Sequence, residues 1–388
     1  MPSPISVQYL EDGPGVREIP PAAAREKLRR AAERLPISMV LVGWNLPPAL
    51  RDACGEEARR IGARFYRWHP LLTGDGVLTP RREWRPVGFA GQPVSGFRDL
   101  PEFTFMCPNR PAVREAIGMR LSATLDGGIY DGVFLDRIRF PSPFPGPESE
   151  LACFCGDCVQ AAGEDGLDLA IVRHQIRALM DEPRQIVRAL FRDESEPLSK
   201  LLEFRSRSIT RTVAAAASVA RQRGLAVGLD CFSPALTRAT GQDLAALDKH
   251  CDWIKVMTYG HALGPAGLPF ELCAAVDWLV CRSVSEREAL ACVAEAAGLP
   301  LPGSREQLRQ AGLGPDALSA EVRRARAAGV RTLLAGIELV ELAGVTHLEP
   351  GQIRADAGAM MAAGAHGLAL SWDLWHMPEE FLDLVALS

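Results

Sequence analysis

Short apolar runs recur along the chain, separated by longer stretches whose apolar residues fall three and four apart. Eight such runs can be counted: Ser38–Gly43, Ala63–Trp68, Phe103–Met106, Gly132–Asp136, Ala226–Asp230, Trp253–Met257, Thr332–Ile337 and Gly367–Ser371. Most are apolar almost throughout, which suits strands covered on both faces of a parallel sheet. Between them, Arg110–Leu125, Ser206–Arg223, Ala320–Ala328 and Gln352–Ala363 are rich in Ala, Leu and Arg and predict helices. Gly224, Gly329 and Gly364 stand where a helix gives way to the next strand, a place that favours a left-handed residue. The alternation is that of βα units. Eight strands with helical crossovers predict a closed α/β fold, a single (β/α)8 TIM barrel. An open nucleotide-binding sheet is disfavoured, because no Gly-x-Gly-x-x-Gly follows the first run.

The chain of 388 residues reads as one domain, 1–388. Residues 1–36 are expected to form an N-terminal segment and helix, and 141–206 and 281–318 helical insertions. The stretch Thr73–Glu102, rich in Pro and Gly, is expected to loop over the barrel mouth. Composition bears on partners more than on fold. A net charge of −5 and a pI near 5.9 argue against nucleic acid or an anionic membrane surface. No apolar run approaches the roughly 20 residues that span a bilayer. The opening MPSPISVQYLEDGPG lacks the basic-then-apolar order of a secretory signal. These features predict a cytoplasmic protein whose ten cysteines are thiols or metal ligands. No motif for an organic cofactor is found, and the oligomeric state, homo-oligomer included, stays open.

The strongest local signal is Cys153-Phe-Cys155-Gly-Asp-Cys158. Three thiols so close suit tetrahedral zinc, and the fourth ligand has a natural candidate in Cys107. Cys107 follows the third run and the cluster follows the fourth, so neighbouring strands would bring the two loops together. A four-thiolate site has no open position, and such zinc would be structural. The plainer alternative is a set of unlinked, buried thiols.

Cys107–Arg114 (CPNRPAVR) followed by Cys153-x-Cys155-x-x-Cys158 resembles the zinc site of glycoside hydrolase family 42 β-galactosidases. In that family one cysteine after the third strand joins a Cys-x-Cys-x-x-Cys after the fourth. Asp131–Pro141 (DGVFLDRIRFP) likewise resembles the Leu-Asp-x-Ile-Arg-x-Pro strand of bacterial glycosidases of barrel fold. Where family 42 carries Asn-Glu at the end of strand four, this chain has Leu135-Asp136.

In this fold, function sits at the C-terminal ends of the strands. Those ends offer Trp44, Asn45, His69, Asp136, Arg137, Arg139, Asp230, Tyr259, His261, Glu338, Trp372 and Asp373. Carboxylates and aromatic rings together suit a sugar site, since glycosidic cleavage needs two carboxyls facing each other across the bond. Strands four and seven lie opposite in an eight-stranded barrel, which selects Asp136 and Glu338. The resemblance implies Glu338 as nucleophile and Asp136 as acid/base. A likeness to α-galactosidase-like barrels implies the other arrangement, with the strand-four aspartate as nucleophile. Asp is one methylene shorter than Glu, and the wider gap this implies leaves inversion open beside retention. Tyr259 in Val256–Tyr259 (VMTY) resembles the Met-Thr-Tyr run of chitinase-like barrels, but Phe134 and Ile138 replace two acidic positions of their strand-four pattern.

Each site residue has a plainer alternative. Asp136 could simply pair Arg137 or Arg139, and Glu338 could form a rim ion pair. Asp373 could cap the last helix, and His69 could be a packing residue. The leading expectation is a glycosidase acting on a small glycoside or oligosaccharide. Its rivals are a sugar-binding pseudo-enzyme and a different hydrolase or lyase on the same barrel.

Overall fold

The computed structural model describes residues 4–11 and 15–386. Eight parallel strands close into a barrel in chain order: β1 (Ile5–Tyr9), β2 (Ile37–Val42), β3 (Arg64–Pro70), β4 (Gly132–Asp136), β5 (Ala226–Phe232), β6 (Trp253–Met257), β7 (Leu333–Glu338) and β8 (Gly367–Ser371). The barrel expected from the pattern is present. Ile5 lies beside Leu368, and Val7 beside Leu370, at the seam between β1 and β8.

One run departs from the pattern. The run Phe103–Met106 is not a strand: Pro101–Phe103 is a 3-10 turn, and the rest follows the backbone of its own loop. Met106 N–H bonds Leu72 O at 2.8 Å and Cys107 N–H bonds Trp84 O at 2.8 Å. The eighth strand is instead β1, inside what was read as an N-terminal segment. Its sequence, ISVQY, alternates apolar and polar residues because its two faces differ. Ile5, Val7 and Tyr9 join the core under the helices, while Gln8 turns into the barrel and meets Lys255.

The same alternation holds around the barrel. Met39, Leu41, Tyr66, Trp68, Phe134, Trp253, Leu334 and Ala369 fill the interior, apart from the larger core between strands and helices. The Phe134 and Trp253 rings stack at 5.1 Å, and Tyr66 meets Trp253 edge-on at 5.7 Å. Such large rings fit because their neighbours are glycines. A Cβ on Gly228 would stand 2.2 Å from Trp253 Cζ2, and one on Gly132 would stand 2.2 Å from Tyr66 Cε1.

Gly224, Gly329 and Gly364 close their helices at positive φ (71°, 87° and 102°). Beyond β4, four helices between Pro147 and Phe191 precede the long barrel helix Glu196–Arg221. Beyond β6 come the helices Leu268–Val280, Glu286–Ala297, Arg305–Ala311 and Pro315–Ala327. The long loop after β3 is fastened to the β4 loop. Phe154 N–H bonds Val87 O at 2.9 Å, Ala90 N–H bonds Glu148 O at 2.9 Å, and Gly88 bridges Ala152. Among the described residues no helix is long and apolar enough to cross a membrane.

Candidate active site and metal centre

Cys107 lies on the β3 loop and Cys153, Cys155 and Cys158 on the β4 loop, and all four are buried. Their sulfurs lie within 4.8 Å of one another, with Cys107 Sγ 3.7 Å from Cys155 and 3.4 Å from Cys158. Sulfurs bound at 2.3 Å to one tetrahedral ion would stand about 3.8 Å apart, so the cluster has the span to hold a metal. Cys155 caps the helix Gly156–Glu164, which puts Cys158 on its first turn and both thiols on one side. Two N–H donors face the sulfurs: Val87 N to Cys153 and Asn109 Nδ2 to Cys158, each at 3.3 Å. Asn109 is held by Ser208 at 2.9 Å, one helical turn from Arg205. The Arg205 side chain is wholly buried, with Nη2 on Pro141 O at 3.2 Å while Nε and Nη1 have no hydrogen-bond partner. Burial pushes its pKa down to about 9, against the pull of Cys153 and Cys158.

Inward-facing positions at the strand ends build the barrel mouth. Asp136, Asp230 and Glu338 share the inner face with the rings below them, because they alternate with the outward residues Leu135, Leu229 and Ile337. Both Asp136 oxygens meet donors: Trp68 Nε1 at 3.0 Å on Oδ2, and the Arg137 backbone N–H on Oδ1. Arg137 has φ 53°, and this left-handed turn folds its guanidinium back to 3.7 Å from Asp136. The guanidinium also lies 3.4 Å from Glu11, between the rings of Trp44 (5.0 Å) and Phe103 (5.3 Å).

Beneath, Lys255 Nζ is wholly buried and meets Asp230 at 3.0 Å, Gln8 at 2.9 Å and the Tyr259 hydroxyl at 2.6 Å. Gly336 gives its stem room, since a Cβ there would stand 2.7 Å from Lys255 Cε. Asp230 Oδ1 has no hydrogen-bond partner, and burial pushes its pKa up to about 7 despite Lys255. Burial also pushes Glu338 up to about 7, although His261 N–H bonds its Oε1. Burial raises Tyr259 far above the phenol range, and the charges of Asp230, Asp136 and Glu338 add to the rise. One hydroxyl thus feels all three inner carboxylates.

The remaining predicted residues divide. Trp44 stands edge-on to Trp68 at 5.1 Å, and Trp372 edge-on to Tyr259 at 5.7 Å, both at the mouth. Asn45 follows Trp44 at φ 63°. Arg139 is clamped between Phe105 (4.3 Å) and Phe232 (4.1 Å). His261 contributes its backbone to Glu338, while its ring bonds Asp356 at 2.8 Å. Burial alone would lower the His261 pKa, but Asp356 and Glu338 raise it.

Two predicted residues stand apart from this group. His69 falls on the outward parity of β3, and burial beside Arg67 pushes its pKa down to about 3. Asp373 spends its carboxylate on backbone N–H groups: Leu10 (2.8 Å), Trp375 (2.9 Å) and Glu11 (3.2 Å). It ties the end of β8 to the end of β1. Sequence reasoning passed over Gln8, Glu11, Trp68, Asp356 and the role of Lys255. The last was signalled: a lysine inside WIKVM, a run buried on both faces, needs acceptors within the barrel.

No family model and no curated protein matches this chain by sequence. Solved structures share its fold. The PgaB (BpsB) glycoside hydrolase domain from Bordetella bronchiseptica aligns over 100% of this chain and 99% of its own, with TM-score 0.54 and 14% identity. A β-galactosidase from the psychrophilic Marinomonas ef1 aligns over 98% of this chain and 58% of its own (TM-score 0.60, 12% identity). Alpha-L-fucosidase isoenzyme 2 from Paenibacillus thiaminolyticus aligns over 100% and 48% (TM-score 0.58, 13% identity). This chain therefore spans about half the length of the latter two. At these identities the likeness is one of fold.

Proposed function

We propose that the protein is a glycoside hydrolase whose reacting carboxyls are Asp136 and Glu338. The observation that carries this reading is a pair of differently partnered inward carboxyls at the mouth of one barrel, on β4 and β7. Glu338 is buried and titrates near 7, so it can hold a proton at neutral pH. Asp136 meets only donors, the hydrogen-bond pattern of a carboxylate anion. Glu338 is then the proton donor to the leaving oxygen, and Asp136 is the nucleophile or base. This reverses the roles implied by family 42 and follows the second arrangement. Asp230, steadied by Lys255, keeps one oxygen free for a sugar hydroxyl. Trp372, half-buried at the mouth, offers ring surface to the sugar.

The four cysteines fit structural zinc: all thiolate donors, no open position, and N–H groups on the sulfurs. Zinc bound there would fasten the β3 and β4 loops together, away from the chemistry.

A hydrolysis screen of aryl α- and β-glycosides tests the reading, with Asp136→Asn and Glu338→Gln beside wild type. One glycoside should be cleaved, and each variant should lose at least about 10²-fold in rate. Glycan binding without turnover by the wild type would turn the reading into a sugar-binding protein. The anomer of the released sugar, followed by NMR, separates inversion from retention.

A further inference from the structure

A cavity of about 140 Å3 opens on the same face of the barrel as the candidate active site. Its walls come from loops that leave the C-terminal ends of β3, β4 and β6, the side on which barrel enzymes do their chemistry. Four phenyl rings line it: Phe97, Phe103, Phe105 and Phe270. Phe97 meets Phe103 edge-on at 5.9 Å and Phe270 edge-on at 5.6 Å, the geometry that aromatic clusters favour. Phe97, Phe103 and Phe270 are only half-buried, so ring surface stays open to an incoming group. Pro141, Pro145 and Pro265 add further apolar wall.

The polar groups at its edge are mostly engaged. Glu271 accepts Ser142 Oγ at 2.6 Å on one oxygen and Ala266 N–H at 3.2 Å on the other. Arg139 is stacked between two rings and donates to Phe140 O at 3.1 Å. Glu150, also on the cavity wall, has no ion pair among the described residues. A sugar ring needs several hydrogen-bonding partners at once, and this cavity offers few. Its size is that of a single aromatic ring, since an apolar cavity of about 150 Å3 takes up benzene.

The cavity borders the candidate active site, with Phe103 as the shared wall. One contact of that ring is Phe97 in the cavity wall, and another is the Arg137 guanidinium, which itself lies 3.7 Å from Asp136. We infer that this phenyl-lined cavity is the leaving-group subsite, and that the preferred substrates carry an aromatic aglycone. The inference rests on the glycosidase reading for its substrate and on the cavity alone for its aromatic ligand. Glu150 would accept the hydroxyl of a phenolic ring seated there.

The test separates the two. Phenol is titrated into wild type, Phe97→Ala, Phe270→Ala and the cavity-filling Ser95→Trp, with binding followed by ligand-observed NMR. The ratio of kcat/KM for phenyl over methyl glycosides is measured in parallel. Wild type should bind phenol, and each variant should weaken binding by about tenfold or more. The phenyl-over-methyl preference should fall by a similar factor. Ser95→Trp keeps the test decisive if a Phe→Ala variant folds poorly. Phenol binding without hydrolysis of any glycoside would keep the aromatic site and sink the glycosidase reading. Hydrolysis with no phenol binding and a ratio unmoved by the variants would overturn the subsite and leave the glycosidase standing.

Discussion

Burial dominates the chemistry of single residues here. Glu338 has its pKa raised from 4.5 to about 7, so the folded state holds this proton more tightly than the unfolded chain. The sign follows: the stabilisation is complete below pH 4.5 and is lost as pH rises through 7. Glu338→Gln removes this titration. Its stability relative to wild type should therefore improve between pH 5 and pH 8, by on the order of 2 kcal/mol. Denaturant unfolding at the two pH values checks this, and an unchanged difference would count against a buried, protonated Glu338. The same proton sets the expected pH profile of catalysis, with the rate falling above about 7 as the donor ionises. Arg205 presents the opposite case, a buried cation with two unpartnered nitrogens. Four thiolates around the proposed divalent ion would carry net charge −2, and the neighbouring guanidinium would offset it. Arg205→Met should weaken zinc binding by about 10- to 100-fold in a chelator competition. It should leave the metal-free protein no less stable, because an unpaired buried charge is removed.

At the scale of elements, the sequence was legible wherever a strand is apolar on both faces. Seven of the eight runs correspond to barrel strands, and Asp136 and Glu338 stand at strand ends as read. The missed strand has a simple cause, which is that a strand facing a polar interior does not look buried. Gln8 and Ser6 make β1 resemble a surface segment, although Gln8 serves Lys255 inside the barrel. Phe103–Met106 looks like a strand because it is apolar, yet its rings fill a loop and its N–H groups bond loop carbonyls. His69 was placed at the mouth by its position in β3, while the two-residue period turns it outward. The interior rings impose their own demand on the strands beside them. Gly228→Ala sets a methyl against Trp253 and should lower stability by about 1–3 kcal/mol, read as a fall in Tm. A Tm equal to wild type would mean that the Trp253 ring is free to shift.

The whole molecule is a barrel with an asymmetric rim. Its longest loops follow β3, β4 and β6, and the four-cysteine cluster brings two of them together. Val87 bonds both Cys153 and Phe154, so the loop that carries Phe97 and Phe103 is anchored on the cysteine cluster. With zinc bound there as proposed, stripping it should free that loop before it disturbs the barrel. Limited proteolysis mapped by mass spectrometry should then show new cuts between residues 71 and 110, while far-UV circular dichroism stays unchanged. An identical cleavage pattern with and without chelator would mean the loop is held by its other contacts.

The seam between β1 and β8 has a consequence for how the protein is made. Ser6 and Leu368, joined there by a hydrogen bond, lie 362 residues apart. At roughly 5 to 20 residues per second, a ribosome needs roughly 20 to 70 seconds to deliver the second after the first. Throughout that interval β1 waits with one edge unpaired. A strand rich in valine and isoleucine on both faces would invite another chain to that edge. Ser6 and Gln8 keep one face of β1 water-compatible during the wait, and once the barrel closes Gln8 serves Lys255 and Ser371 inside it while Ser6 bonds across the seam.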